Sequence, residues 1–166
     1  VSPIPTLDPF TVFGVPRSLD LDERALERRY FELSRECHPD LLRSQAPADC
    51  IAVLQRSAEI NDAWRVLRDP WQRAKALLEA QSPGVLARTE KLDPATLDEA
   101  LELAEQVAHA GGEAIAPLRA RIEQALAADF AAVRAHVQRG EFAAAAARCH
   151  AARYRQKALH DLEQKS

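Results

Sequence analysis

Methionine is absent from this chain, cysteine occurs three times, glycine five times, and tryptophan and tyrosine twice each. Each scarcity excludes something. The cysteines, Cys37, Cys50 and Cys149, are odd in number, far apart, and form no C-x-x-C pair. A zinc ribbon or disulfide framework is therefore not expected, and reduced thiols in a cytoplasmic compartment are. No apolar run approaches the roughly 18–20 residues that a membrane-spanning helix needs, and no signal-peptide pattern occurs. The missing methionine implies an initiator that has been removed or lies outside the sequence. Neither half of the chain is basic, and the net charge is only −3, so no nucleic-acid partner is expected. Strand alternation, low-complexity tracts, internal repeats and Gly-rich phosphate loops are also missing.

What is present is helical periodicity. With 47% apolar and 28% charged residues, the composition is that of an ordinary globular protein of one domain or two small ones. Residues 1–9 carry Pro3, Pro5 and Pro9 and read as an extended lead-in. Phe10, Val12, Phe13 and Val15 form a short apolar patch, about one helical turn, ended by Gly14 and Pro16. Asp20 is the predicted cap of the next helix, with Glu23 at the capping-box position. Leu26, Tyr30, Leu33 and Cys37 follow at spacings of 4, 3 and 4, one face of a helix that stops at His38-Pro39. A loop from Asp40 to Pro47 leads to a helix over about 48–68, with Cys50, Val53, Leu54, Ser57, Ile60, Asn61, Trp64 and Leu67 as its stripe. The two helices predict an antiparallel hairpin. Pro70 ends the second, and Trp71, Ala74, Leu77 and Leu78 predict a short helix after it.

The texture changes over 82–94, from Ser82-Pro83-Gly84 to Asp93-Pro94, and this stretch is the predicted linker. Beyond it the chain is Ala-rich and strongly helical by propensity. Asp93 caps and Pro94 opens a helix with the stripe Leu97, Leu101, Ala104 and Val107. Ile115, Leu118, Ile122, Leu126, Phe130, Val133 and Val137 make a second stripe, in which Pro117 fits only within the first turn. Phe142, Ala145, Cys149 and Ala152 begin a third. All five glycines fall between predicted helices. The expected class is all-α, a helical hairpin followed by a three-helix antiparallel bundle.

The point around which the first half is organised is His38-Pro39-Asp40. Four readings are to be weighed on the residues alone. Catalysis would use Cys37 as nucleophile beside His38 and Asp40, but Cys37 falls on an apolar stripe, where a buried inert thiol fits better. A metal site lacks partners at ligand spacing. The remaining pair is a plain helix end whose polar residues only cap it, or a rigid tip read by another protein.

A basic amphipathic helix, then His38-Pro39-Asp40, then Ile60-Asn61-Asp62-Ala63-Trp64-Arg65-Val66-Leu67-Arg68-Asp69-Pro70 resembles a J-domain, the partner module of DnaK-type ATPase chaperones. The opening Asp8-Pro9-Phe10-Thr11-Val12-Phe13-Gly14-Val15-Pro16 resembles the start of the HscB family, iron–sulfur cluster co-chaperones that join a J-domain to a C-terminal three-helix bundle. The likeness runs over nearly the whole chain, and it implies a J-domain at 1–81, a linker at 82–94 and a scaffold-binding domain at 95–166.

The resemblance implies further that His38, Pro39 and Asp40 trigger ATP hydrolysis by an HscA-like chaperone, with Arg28, Arg29 and Arg35 on the docking face. A solvated helix face with pairs such as Arg28–Glu32 is the plainer reading of those arginines. It also implies that an IscU-like scaffold protein binds Leu97, Leu101, Glu102 and Glu105, with Tyr154 as an aromatic from the last helix. Against this, both leucines also read as bundle core. The sequence departs from the family pattern at Cys37 (often aromatic), Leu41 (often lysine) and Asp98 (a larger apolar residue). The implied protein is no enzyme and carries no metal or cofactor, since three scattered cysteines make no cluster site. Two alternatives are a J-domain co-chaperone with another client and a small helical thiol enzyme using Cys37 and His38.

Overall fold

The computed structural model describes residues 8–37 and 47–165. These fall into two compact units, Val1–Ala80 and Gln81–Ser166, and the described residues contain helices and turns but no strand.

The first unit opens with α1, Pro9–Phe13. Asp8 caps it by accepting the Phe10 N–H at 3.2 Å, and Gly14, at φ +65°, ends it in the left-handed conformation. The apolar patch predicted here is thus one short helix, with Phe10, Val12 and Phe13 buried. The second helix, α2, spans Glu23–Glu36. Its cap is Asp22, which accepts the Ala25 N–H at 3.0 Å, and not Asp20 as the capping-box pattern predicts. The Asp20 N–H instead donates to Ser18 Oγ at 3.0 Å, and the neighbouring Leu19 is buried. That turn delays the helix by two residues and makes Glu23 its first residue. Leu26 and Leu33 are buried, with Tyr30 and Cys37 half-buried beside them.

Helix α3, Pro47–Arg68, packs against both α1 and α2. Its core residues are Ile60, Ala63 and Leu67, while Leu54 is exposed and Asn61 turns outward. Val53 and Leu54 point about 100° apart on a helix of this pitch, so only one of them can face the core. Pro70 both interrupts α3 and opens α4, Pro70–Gln81, because Asp69 accepts the Trp71 and Gln72 N–H groups at 2.8 and 3.0 Å. Phe13, Trp64 and Tyr30 stack in sequence at 6.3 and 4.8 Å between ring centroids, joining the three helices through one aromatic column.

In the second unit α5, Val85–Arg88, lies within the stretch expected as a linker. Val85 is buried, and His150 Nε2 sits 2.9 Å from the Leu86 carbonyl, so this turn is held against α8, Phe142–Glu163. Helix α6 spans Pro94–His109 and α7 spans Ile115–Gln138, with a 3-10 turn at Gly112–Ala114 between them. Asp93 caps α6, accepting the Thr96 N–H at 2.9 Å and its hydroxyl at 2.7 Å. Those bonds hold its carboxyl below the ordinary carboxylate range, the Thr96 backbone bond contributing most. Helices α5, α6 and α7 all pack on α8. Ala145, Ala146, Cys149 and Ala152 are buried on α8, and such small side chains let neighbouring backbones come close. Val107, Ile122, Ala158 and Leu162 form a core cluster, with Leu103, Leu118 and Leu126 packed around it.

Candidate partner-docking faces

His38, Pro39 and Asp40, the predicted trigger, and Leu41 beside them lie outside the described residues. What is described is the helix that leads to them. On α2 the core residues Leu26, Tyr30, Leu33 and Cys37 define one side. Arg28 and Arg35 are exposed on the opposite side. Arg29 does not share their face. Its Nε donates to the Phe13 carbonyl at 3.1 Å and its Nη1 to Glu32 at 3.1 Å, so it braces the end of α1 against α2. Glu32 therefore pairs with Arg29 rather than with Arg28, the i,i+4 partner predicted from sequence.

On α6 the exposed and buried sides differ from the predicted stripe. Ala100 and Leu103 are half-buried and Val107 is buried, whereas Leu97 and Leu101 are 44% and 62% exposed. Small Thr96 and Ala100 face α8, where Ala151 and Tyr154 line a shallow cleft with them. The larger leucines are turned outward as a result. Of the two readings open for Leu97 and Leu101, bundle core and surface patch, the burial favours surface. Glu102 and Glu105 are exposed on the same helix, and so is Asp98. Tyr154 is half-buried, with the Arg153 guanidinium 5.4 Å from its ring centroid.

Sequence reasoning missed the charges that hold this face in place. Asp129 is buried on α7, and its two oxygens receive Arg155 Nη1 at 2.8 Å and Arg148 Nη1 at 3.4 Å. Arg155 Nη2 reaches on to Glu99 of α6 at 3.3 Å. One guanidinium, that of Arg155 on α8, thus links all three long helices through Asp129 and Glu99. The signal for Asp129 was available: Ile122, Leu126, Asp129 and Val133 share one helical phase, and an acidic residue on an apolar stripe demands buried partners. In the first unit, Arg73 of α4 is buried with Nε and Nη1 lacking hydrogen-bond partners. Burial pushes its pKa down, opposed by the charges of Glu23, Asp20 and Asp69.

The remaining chemistry is sparse. Cys37 and Cys50 are half-buried and Cys149 is buried. Among the described residues no three His, Cys, Asp or Glu side chains converge as metal ligands, and no helix is long and apolar enough to cross a membrane. The clefts are open and shallow, such as one of about 260 Å³ between α6 and α7 lined by Glu99, Glu102, Arg121 and Arg155.

The comparisons with known proteins follow the two units. The DnaJ domain model matches residues 8–76, and the model of the HSCB C-terminal oligomerisation domain matches residues 92–163. The structure of the chaperone HscB from Vibrio cholerae is similar at 27% identity and a TM-score of 0.84, over 94% of this chain and 95% of that one. The crystal structure of the human co-chaperone protein HscB, at 23% identity, shares the fold with a TM-score of 0.85, over 98% of this chain and 84% of that one. A J-domain joined to this second module defines a class, the J-domain co-chaperones. Within that class the chain belongs to the HscB family, whose role is iron–sulfur cluster assembly.

Proposed function

We propose that this protein stimulates the ATPase of an HscA-like, DnaK-type chaperone and delivers an IscU-like iron–sulfur scaffold protein to it, acting in the cytoplasm and catalysing no reaction itself. In this reading residues 1–81 activate the chaperone, 82–94 connect, and 95–166 hold the scaffold. His38, Pro39 and Asp40 act as the trigger. Proline limits the loop's conformations, so less entropy is lost on docking, and the Asp40 carboxylate accepts a charge-assisted bond from an arginine of the chaperone. Arg28 and Arg35 steer the encounter with an acidic surface, and Arg29 stiffens the helix that carries them. The scaffold meets Leu97, Leu101, Glu102 and Glu105, with Tyr154 alongside.

The observation that carries this reading is the pair of exposed leucines at i and i+4 among carboxylates on α6, in the unit matched by the HscB model. Two outward leucines cost solvation unless something covers them, and their acidic setting selects a basic partner. Asp40→Asn tests the other half. It is expected to abolish stimulation of the chaperone's steady-state ATPase while calorimetric binding of the scaffold stays at the wild-type value. Normal stimulation by that variant would remove the trigger from Asp40.

A further inference from the structure

Phe31 is a large aromatic residue that the fold leaves 54% exposed, in the middle of α2. Its described ring contact is with Tyr30, 5.6 Å away and tilted by 56°, at the outer edge of the aromatic column. A single exposed aromatic is ordinary on a protein surface. Its setting here is not. Arg24, Arg28, Phe31 and Arg35 follow at spacings of 4, 3 and 4, and all four are exposed. At 100° per residue they fall within an arc of about 60°, directly opposite the side defined by Leu26, Tyr30, Leu33 and Cys37. No acidic side chain shares that arc, since Glu27 and Glu32 lie to either side of it.

We propose that Phe31 is the apolar anchor of the chaperone-docking stripe, and that the surface it meets on the chaperone's ATPase domain is an acidic rim around an apolar depression. The inference rests on the reading above, in which α2 docks on that domain, and it adds the residue that holds the contact. Arginines bring an acidic partner in quickly but, in water, hold it weakly. An aromatic ring ringed by arginines loses its hydration only when the partner closes over it, which is the arrangement that concentrates binding energy in one residue. The charge of the stripe excludes the alternative of a basic partner.

The test uses the full chain and reads the chaperone's ATPase rate against the concentration of this protein, at several salt concentrations. Phe31→Ser is expected to raise the half-maximal concentration about tenfold or more, with the maximal rate and the salt dependence unchanged. Phe31→Leu should restore most of the affinity, whereas Arg28→Ala should flatten the salt dependence. A half-maximal concentration unmoved by Phe31→Ser overturns the proposal. A loss of thermal midpoint in that variant as large as in Leu33→Ala also overturns it, because Phe31 would then belong to the fold. So does a variant that dissolves self-association while leaving stimulation intact, which would assign the stripe to a second copy of the chain. If the wild-type chain itself fails to stimulate, the broader reading falls and takes this one with it.

Discussion

The two units solve the same problem with opposite charge. On α2 the side turned away from the core carries arginines around one aromatic; on α6 it carries carboxylates beside two leucines. Neither helix needs those residues for its own packing. In each case apolar surface is left uncovered inside a field of one sign; under the proposed function the sign chooses the partner and the apolar part provides the grip. The interiors differ as well. The first unit is knit by Phe13, Trp64 and Tyr30 and buries a guanidinium without full pairing, while the second is knit by alanines and a fully engaged carboxylate.

The contrast in buried charge gives the largest expected effect. Asp129→Ala leaves Arg148 without this partner and Arg155 with only the exposed Glu99, and should cost about 3 kcal/mol, read from the denaturation of the second unit. Arg73→Met in the first unit removes a guanidinium whose donors are incompletely met, and should leave stability within about 1 kcal/mol of wild type or above it. A large loss in Arg73→Met would show that its carboxylate neighbours outweigh its burial. Next comes the rotation of α6. Leu103→Ala opens the core and should cost about 2–3 kcal/mol, whereas Leu101→Ala should move stability by less than about 0.5 kcal/mol. The order reverses for scaffold binding, where calorimetry should find Leu101→Ala weaker by about tenfold. Equal stability losses would mean that the two sides of α6 are not distinct.

The smallest effect is in acid. Glu141 is held at about 2, well below its ordinary 4.5, by the hydrogen bond from Arg139 and then by His136. A depressed carboxyl favours the folded state above pH 4.5, and that contribution disappears as pH falls through about 2. Because the group is exposed to solvent, its effect is a modest tilt of the second unit's acid limb. Glu141→Gln should flatten that limb, and an NMR titration of the Glu141 carboxyl should find its midpoint near 2 in the wild type.

Most of the helices were legible from apolar spacing and from proline and glycine positions, because both act within a few residues of the chain. Pro94 after Asp93, and Gly14 after Phe13, mark helix ends that the structure keeps. What was not legible depends on distant atoms. Asp20 and Asp22 can both cap, and the capping-box spacing to Glu23 favours Asp20 in sequence; the burial of Leu19 and the Ser18 turn go with Asp22 instead. Leu97 and Leu101 fit a stripe as well as Ala100 and Leu103 do, until the close approach of α8 selects the side that carries the small Thr96 and Ala100. Phe31 was hidden for the opposite reason. A lone aromatic among arginines reads as noise until the other side of its helix is known.

The ammonium of Lys165 donates to the Val107 and Ala108 carbonyls at 2.7 and 2.6 Å. It therefore neutralises the negative end of α6 from a position far along the chain. An affinity tag or fusion spliced in before residue 165 would unlatch the helix that carries the leucines. A weak client signal from such a fusion would report a frayed helix end, while one attached after residue 166 would keep the latch.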